Sequence, residues 1–214
     1  MIAIVDYAKG NLRSVQKGLE AAGATDVCVV TSADDIAAAR AVVLPGVGAF
    51  ADASASMIES GQMDAVREAI RAGKPFLGIC LGMHLLFEAG TEHAEDNPAP
   101  GLGILPGVVD RMPAVDATGS AYKVPHVGWN SVEFASECST PLLKGIPEGE
   151  FFYFTHSYIA PENTATQATT THAITFPCFV DVGNTCFGIQ FHPEKSSDAG
   201  LAVLRNFLAV IANA

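Results

Sequence analysis

The sequence contains few basic residues for its length. Its 214 residues include 12 Lys and Arg against 23 Asp and Glu, which gives a formal net charge of −11 at pH 7. Surfaces that bind nucleic-acid phosphates or anionic membranes need clustered Lys and Arg. The charge balance therefore argues against both kinds of surface. It also makes the chain a poor host for a phosphorylated substrate without a partner.

The sequence also lacks any long apolar segment. No apolar run approaches the ~18 residues that a membrane span needs. The first six residues carry no basic side chain and reach Asp6 too early for a secretory signal peptide. We therefore expect a cytoplasmic protein without a membrane span.

Cysteines are few, and none are closely paired. The five cysteines, at positions 28, 80, 138, 178 and 186, include no C-x-x-C pair. An odd number without such pairs is typical of a reducing compartment rather than a disulfide scaffold. The spacing of zinc ligands is missing as well, so we expect neither a metal nor another cofactor.

What is present suits a single α/β domain over residues 1–214. Hydrophobic residues make up 49% and charged residues 16% of the chain, which is typical of a globular protein with a sizeable core. Strand-like runs at 2–5, 27–30 and 41–44 alternate with helical patterns at 12–22, 34–40 and 62–72. This alternation predicts a mainly parallel central sheet with helices on both faces.

The second half of the chain is poor in helices. Strand-like runs occur at 108–111, 130–134, 151–154, 173–175 and 187–190, and a polar stretch covers 162–172. These runs predict an antiparallel extension of the sheet, followed by an amphipathic helix over about residues 197–211. In such folds, ligands bind at the carboxyl ends of the parallel strands.

One cysteine stands at the bend between a predicted strand and a predicted helix over residues 75–87. Cys80 lies between Gly78 and Gly82 in the spacing G-x-C-x-G. This spacing is the cysteine form of the nucleophile elbow, in which the central residue has a strained backbone. A helix N-terminus also favours the thiolate. The alternative is a buried core cysteine between two packing glycines.

A histidine and a glutamate follow another predicted strand. Pro193 keeps His192 extended, and residues two apart in an extended chain face the same side, so Glu194 is predicted to hold one imidazole nitrogen. The other nitrogen is then free to take the thiol proton, as in a nucleophilic triad. The alternative is a surface turn with an incidental ion pair.

A glycine-rich turn supplies candidate oxyanion donors. Pro45-Gly46-Val47-Gly48 follows the third predicted strand, at the same edge of the sheet as Cys80. The N–H groups of Val47 and Leu81, with Gly48 giving the peptide freedom, would hold the oxyanion of a tetrahedral intermediate. An ordinary glycine turn is the alternative. Together the motifs predict acyl transfer through a thioester on Cys80, but they leave the substrate open.

The two motifs, G-I-C-L-G at 78–82 and Q-F-H-P-E at 190–194, resemble those of the class I, or triad, glutamine amidotransferases. The resemblance covers essentially the full length. It implies hydrolysis of the γ-amide of L-glutamine, with Cys80 as nucleophile, His192 as acid and base, and Glu194 as its orienting partner.

Three further stretches, at 6–15, 124–130 and 153–158, are similar to family members that work beside a separate cyclase. This implies a heterodimer with a (β/α)₈-barrel cyclase subunit that receives the ammonia. Glu92 matches a family residue near the amino group of glutamine, and Ser157 and Tyr158 match residues near its carboxylate. The residues that match the contact with the cyclase are Asn11, Arg13, Trp129, Tyr153 and Lys195.

The chain departs from the family pattern at one position. The family's G-x-C-x-G-x-Q places a substrate-holding glutamine where this sequence has His84. Histidine has a different geometry and charge, so we expect catalysis to survive and glutamine affinity to change. Other functions stay open: a stand-alone thiol hydrolase such as a γ-glutamyl hydrolase, another class I amidotransferase, or a non-catalytic subunit that has lost glutamine binding.

Overall fold

A computed structural model describes residues 1–8 and 10–214; Lys9, in the turn predicted after the first strand, lies outside the described residues. The strands are β1 (Ile2–Val5), β2 (Val27–Val30), β3 (Ala41–Gly46), β4 (Phe76–Cys80), β5 (Phe87–Gly90), β6 (Ala99–Pro100), β7 (Leu105–Arg111), β8 (His126–Ser131), β9 (Glu133–Phe134), β10 (Phe151–His156), β11 (Tyr158–Ile159), β12 (Thr166–His172), β13 (Ile174–Val182) and β14 (Cys186–Ile189). The α-helices are α1 (Leu12–Ala22), α2 (Ala33–Ala38), α3 (Phe50–Glu59), α4 (Gln62–Arg71), α5 (Leu81–His84) and α6 (Ser197–Asn213), with 3₁₀ turns at Pro141–Leu143 and Pro193–Lys195.

The central sheet has eight strands in the order β2-β1-β3-β4-β14-β13-β12-β9. The first five are mutually parallel, and β13, β12 and β9 continue the sheet by antiparallel pairing. The predicted fold class, a mainly parallel sheet with an antiparallel extension, is confirmed. Two smaller sheets accompany it, one of β11, β7, β5 and β6 and one of β10 and β8.

Burial explains why the central strands could be read from the sequence. Every residue of β1, β3, β4 and β14 is buried. Parallel strands covered on both faces are continuous apolar runs rather than alternating ones. Helix α1 turns Val15 and Leu19 inward and ends at Gly23, whose φ of 113° suits glycine.

Several element predictions were wrong in detail. The helix after Cys80 is a single turn, α5, and the chain then enters β5 instead of continuing as a helix to residue 87. Helix α3 was not predicted. The strand predicted at 173–175 begins with Ala173, which forms the turn between β12 and β13 at a φ of 58°.

None of the helices in the described part of the chain is both long enough and apolar enough to span a bilayer.

Candidate active site

Cys80 is the last residue of β4 and has φ 54° and ψ −106°, a backbone conformation that few non-glycine residues adopt. Helix α5 begins at the next residue. The turn is tight because two glycines allow close contact: a Cβ on Gly78 would collide with the Gly82 carbonyl, and one on Gly82 with the Leu44 carbonyl. This is the strained strand-to-helix turn that the G-x-C-x-G spacing predicts.

His192 and Glu194 form a buried pair just beyond β14. His192 Nδ1 lies 2.9 Å from Glu194 Oε1, and their side chains are 3% and 1% exposed. His192 is extended, with φ −99° and ψ 99°, as predicted. The extended geometry predicted for the whole segment was wrong, because Pro193–Lys195 forms a 3₁₀ turn, and that turn carries Glu194 back to the imidazole.

The sheet brings this pair next to the cysteine. Strands β4 and β14 are parallel neighbours with Ile79 opposite Ile189, so both chains leave the sheet at the same edge. His192 Nε2 is buried and has no hydrogen-bond partner among residues 1–8 and 10–214. Burial lowers the pKa of His192, but the Cys80 thiol and the Glu194 carboxylate raise it more, to about 10. The imidazole therefore holds a proton readily beside the sulfur.

A cavity of about 270 Å³ opens over Cys80. Its lining combines the glycine-rich turn after β3, the elbow, and the end of β10: Val47, Gly48, Cys80, Leu81, His84, Glu92, Pro125, Thr155, His156, Ser157 and Tyr158. All the predicted oxyanion and glutamine-binding residues lie in this lining. His192 lies outside it, buried beside the sulfur.

The predicted oxyanion turn lies directly against the elbow. Gly46 pairs with Cys80 in the sheet, and Gly48 has a φ of 101°. The Tyr7 hydroxyl donates a 3.0 Å hydrogen bond to the Pro45 carbonyl and so anchors the start of this turn. Burial raises the pKa of Tyr7 well above its usual range, and the nearby Cys80 adds to the rise. This role of Tyr7 is not predictable from the sequence, because a tyrosine after a strand carries no signal of a contact with a distant turn.

His84 lines the cavity, but its Nε2 is hydrogen-bonded to the buried side chain of Gln190. Its Nε2 lies 2.7 Å from Oε1 of Gln190, and Nε2 of Gln190 lies 3.6 Å from Cys80 Sγ. Burial lowers the pKa of His84 to about 4, although the bond to Gln190 opposes the shift. The side chain is therefore neutral near pH 7. Gln190 was quoted in the sequence motif but not predicted as a site residue.

Three further cavity residues carry polar groups. Glu92 is half-buried, and burial raises the pKa of its carboxyl, while the Phe50 N–H opposes the shift. Ser157 lies between β10 and β11, and Tyr158 begins β11. The segment 153–158 thus serves two purposes: Phe154 within it, like Phe152 just before it, is fully buried core, and the end of the segment lines the cavity.

The predicted partner residues fall on the surface in two groups. Trp129 and Tyr153 are opposite each other on β8 and β10, with ring centroids 6.2 Å apart, and the Lys195 ammonium lies 5.6 Å from the Tyr153 ring centroid. Trp129 is 50% exposed. Asn11 and Arg13 are at the start of α1, where Arg13 is exposed.

Within the described chain, no group of three or more His, Cys, Asp or Glu side chains has the arrangement of a metal site. The absence of a metal and of other cofactors stays a prediction.

Comparison with solved structures supports the fold. The chain aligns with a structure described as a glutamine amidotransferase at a TM-score of 0.72, with 21% identity and coverage of 99% of this chain and 100% of that one. A structure of PurLQS from Thermotoga maritima aligns at a TM-score of 0.70, with 18% identity and coverage of 99% and 97%. At these identities the likeness concerns the fold alone.

Sequence relatives are more informative. The chain is 44% identical to the imidazole glycerol phosphate synthase subunit HisH of Shouchella clausii over 97% of each chain. It is 47% identical to that of Moorella thermoacetica, over 100% of this chain and 96% of the relative. Residues 3–211 match the family described as Glutamine amidotransferase class-I. The chain belongs to the class I glutamine amidotransferase family.

Proposed function

We propose that this chain is the glutaminase subunit of an imidazole glycerol phosphate synthase. It hydrolyses L-glutamine to glutamate and ammonia, and a separate cyclase subunit uses the ammonia to make imidazole glycerol phosphate and aminoimidazole-carboxamide ribotide in histidine biosynthesis. The observation that carries the proposal is the strained Cys80 under a small polar cavity, beside the buried His192–Glu194 pair. The 44–47% identity to HisH subunits supports the choice of family member.

In this reaction, His192 takes the Cys80 proton and the sulfur attacks the γ-carbonyl carbon of glutamine. Glu194 keeps the imidazole oriented through Nδ1 and stabilises its charge. The N–H groups of Leu81 and Val47 stabilise the oxyanion. The intermediate collapses to a thioester when His192 returns the proton to the leaving ammonia. Water, activated by the same imidazole, then releases glutamate.

The cavity supports a small substrate. Its volume of about 270 Å³ lies at or below the range of roughly 300–1,000 Å³ that is typical of ligand pockets. Glutamine fits this scale better than the larger substrates of a γ-glutamyl hydrolase. We propose that Glu92 binds the ammonium group, that Ser157 and Tyr158 bind near the carboxylate, and that His84 contacts the substrate in place of the family's glutamine.

The exposed face of the β8–β10 ribbon is the proposed cyclase contact. Alternate residues of the two strands point outward on one side, and three of them are large exposed side chains: Val127, Trp129 and Phe151 at 57%, 50% and 53%. Tyr153 on the same face accepts, through its carbonyl, a 2.9 Å hydrogen bond from the His192 N–H. This face therefore touches the catalytic turn directly. We propose that this face, together with Lys195 beside Tyr153, meets a (β/α)₈-barrel cyclase, and that Asn11 and Arg13 at the start of α1 also contact the cyclase.

The acidic charge of the chain also favours a divided enzyme. A net charge of −11 disfavours binding a phosphorylated acceptor, so the partner holds that substrate. We further propose a cytoplasmic location, which five free cysteines favour.

The test measures glutamine hydrolysis and product formation with and without a cyclase subunit. We expect little glutaminase activity from the chain alone and a large increase in the complex. Cys80→Ala should abolish glutamine-dependent synthesis and leave ammonia-dependent synthesis at the level of the unmodified complex. Full glutaminase activity without a partner would instead indicate a stand-alone hydrolase. Failure of a thiol-reactive glutamine analogue to label Cys80 in the complex would indicate a non-catalytic subunit.

A further inference from the structure

A histidine and a glutamine are hydrogen-bonded in series to the sulfur of Cys80. His84 Nε2 lies 2.7 Å from Gln190 Oε1, and Gln190 Nε2 lies 3.6 Å from Cys80 Sγ. The three residues are 4%, 0% and 6% exposed, so water does not compete for these bonds. The series joins His84, at the end of α5, through Gln190, the residue after β14, to Cys80 at the elbow.

The direction of each bond follows from the chemistry of the groups. An amide oxygen only accepts hydrogen bonds, so in this contact Nε2 of His84 carries a proton and its N–H donates a hydrogen bond to Oε1 of Gln190. The amide NH₂ of Gln190 must then face the sulfur. In the reversed orientation the NH₂ would meet the protonated Nε2 and the amide oxygen would meet Sγ. In its Nε2–H tautomer, His84 therefore favours the orientation in which Gln190 donates to Cys80.

We infer that Gln190 is a further catalytic residue, which stabilises the Cys80 thiolate by donating an amide hydrogen bond to its sulfur, and that His84 is the positioning residue that fixes this orientation. Hydrogen bonds to an ionised acceptor are about twice as strong as neutral ones, so the donor favours thiolate over thiol. The proton lost by the sulfur goes to His192, and Gln190 itself stays neutral throughout. The inference rests on the proposed nucleophilic role of Cys80.

Other groups near the sulfur act in different ways. The Thr155 carbonyl, 3.9 Å from Sγ, accepts a hydrogen bond from the thiol and so favours the protonated form. Tyr7, from the loop after β1, donates its hydroxyl hydrogen bond to the Pro45 carbonyl and not to the sulfur. His192, held by Glu194, lies beside the sulfur as the proton acceptor. The Gln190 amide is the neutral donor that opposes the effect of Thr155.

The test is the pH profile of alkylation at Cys80 by iodoacetamide, measured by peptide mass spectrometry so that the other four cysteines are resolved. The substitution Gln190→Met keeps the length of the side chain and removes the donor. A hydrogen bond to a charged group is worth enough to move the midpoint of the profile upward by about one pH unit. The profile needs neither glutamine nor a cyclase.

The matched control is Gln62→Met. Gln62 is also buried, at 2% exposure, and its amide donates to the carbonyls of Asp6 and Thr31 at 2.9 and 2.8 Å. This variant removes a buried amide away from the sulfur, so its midpoint should equal that of the unmodified chain. A midpoint for Gln190→Met equal to that of Gln62→Met would overturn the role of Gln190.

Variants at His84 test separately whether this residue fixes the orientation of the Gln190 amide. They also keep the proposal testable if Gln190→Met does not fold. His84→Leu frees the amide to reverse, so the midpoint should rise, by less than in Gln190→Met. His84→Gln keeps an N–H donor and should restore the midpoint. Equal midpoints for His84→Leu and the unmodified chain would overturn the positioning role. Failure of the proposed function would be seen differently, as glutaminase activity that survives Cys80→Ala.

Discussion

The two side chains proposed to carry out the chemistry, Cys80 and His192, are each held by a different constraint. The positive φ of Cys80 costs of order 1–3 kcal/mol, and the β4–α5 turn imposes it through the contacts of Gly78 and Gly82. His192 is held by its bond to Glu194. The imidazole and the sulfur thus approach one another from neighbouring strands, without any flexible segment between them.

A substitution at position 84 is expected to affect glutamine binding more than the chemical step. We expect His84→Gln to change the KM for glutamine by about tenfold, because the side chain lines the cavity. We expect kcat to change less, because glutamine keeps an N–H donor for Gln190. Steady-state glutaminase kinetics of the complex with its cyclase would check this. A change confined to kcat would reject the binding role of His84.

Val47 tests the oxyanion turn at the level of its backbone. Val47→Pro removes the N–H, and loss of one oxyanion donor typically lowers kcat by about 10²–10³. The matched variant Val47→Ala keeps the N–H and removes a side chain that is 40% exposed, so it should be close to normal. Glutamine turnover in the complex is the measurement. Equal losses in the two variants would assign the effect to the side chain.

At the scale of elements, the sequence predicted what local patterns encode. The buried runs of β1, β3 and β4, the end of α1 at Gly23, and the glycine spacing of the elbow were all readable. The 3₁₀ turn at 193–195 and the single turn of α5 were not, because the same residues also suit an extended chain or a longer helix. Packing against neighbouring strands decides between these forms.

The parts of the site that sequence analysis missed depend on long-range contacts. The Tyr7 hydroxyl meets a carbonyl 38 residues away, and Gln190 meets His84 across 106 residues. Only the sheet order, with β14 beside β4 and β1 beside β3, brings these groups together. No spacing in the sequence encodes that order.

The oxyanion turn after β3 also has a conformational prediction. We expect the Val47 N–H to point away from the cavity in the free chain and to turn inward when the acceptor binds the cyclase. Gly48, at a φ of 101°, lowers the cost of such a peptide flip. Glutaminase rates of the complex should therefore be higher with acceptor than without it. Equal rates would rule out this coupling.

A histidine cluster links the β8–β10 ribbon to the elbow. His126 stacks on His172 with centroids 4.1 Å apart and lies 5.4 Å from His156, whose Nδ1 donates to the Tyr158 carbonyl. Burial lowers the pKa of His126 to about 4, and it lowers that of His156 well below 6.5. His84, near His156, is lowered in the same way. Three elements, β8, β10 and α5, thus contribute packed imidazoles whose pKa is lowered.

This cluster predicts acid sensitivity. In the unfolded chain these histidines become protonated below about pH 6.5, the ordinary pKa of the side chain. In the folded chain His84 and His126 stay neutral until the pH falls to about 4. Stability is therefore fully present above pH 6.5 and falls as the pH is lowered toward 4. His84→Gln should reduce the loss between pH 7 and pH 5 by roughly 2 kcal/mol. Urea unfolding at the two pH values measures the difference.

The control for this measurement is a buried amide that does not ionise. Gln62, at 2% exposure, lies outside the cluster and donates to the carbonyls of Asp6 and Thr31, so Gln62→Met should leave the pH dependence unchanged. His192 acts in the opposite sense, because its raised pKa makes its contribution decline as pH rises from 6.5 toward 10. Both variants and the unmodified chain keep His192, so its contribution cancels in the comparison. A loss in His84→Gln equal to that of the unmodified chain would contradict the assignment.

For the whole molecule, the proposed partner face of the β8–β10 ribbon and the turn that carries His192 are joined by hydrogen bonds. The Tyr153 carbonyl accepts from the His192 N–H, and the Tyr153 N–H donates to Ser196 Oγ, which in turn donates to the His192 carbonyl. A partner that presses on β10 therefore acts on the backbone that carries His192. This gives a physical route by which a cyclase could control the glutaminase.

The last prediction concerns association itself. Trp129 is half exposed on a face that also carries Val127 and Phe151, and buried aromatic anchors commonly dominate interface energies. Trp129→Ala should raise the Kd for the cyclase by about tenfold or more. The free energy of unfolding of the free chain should stay unchanged, because the indole ring is not part of either core cluster.

Ile58→Ala, at 52% exposure on α3, is the matched control and should leave the Kd unchanged. Titration calorimetry of both variants decides the matter: equal Kd values would place the partner on another surface.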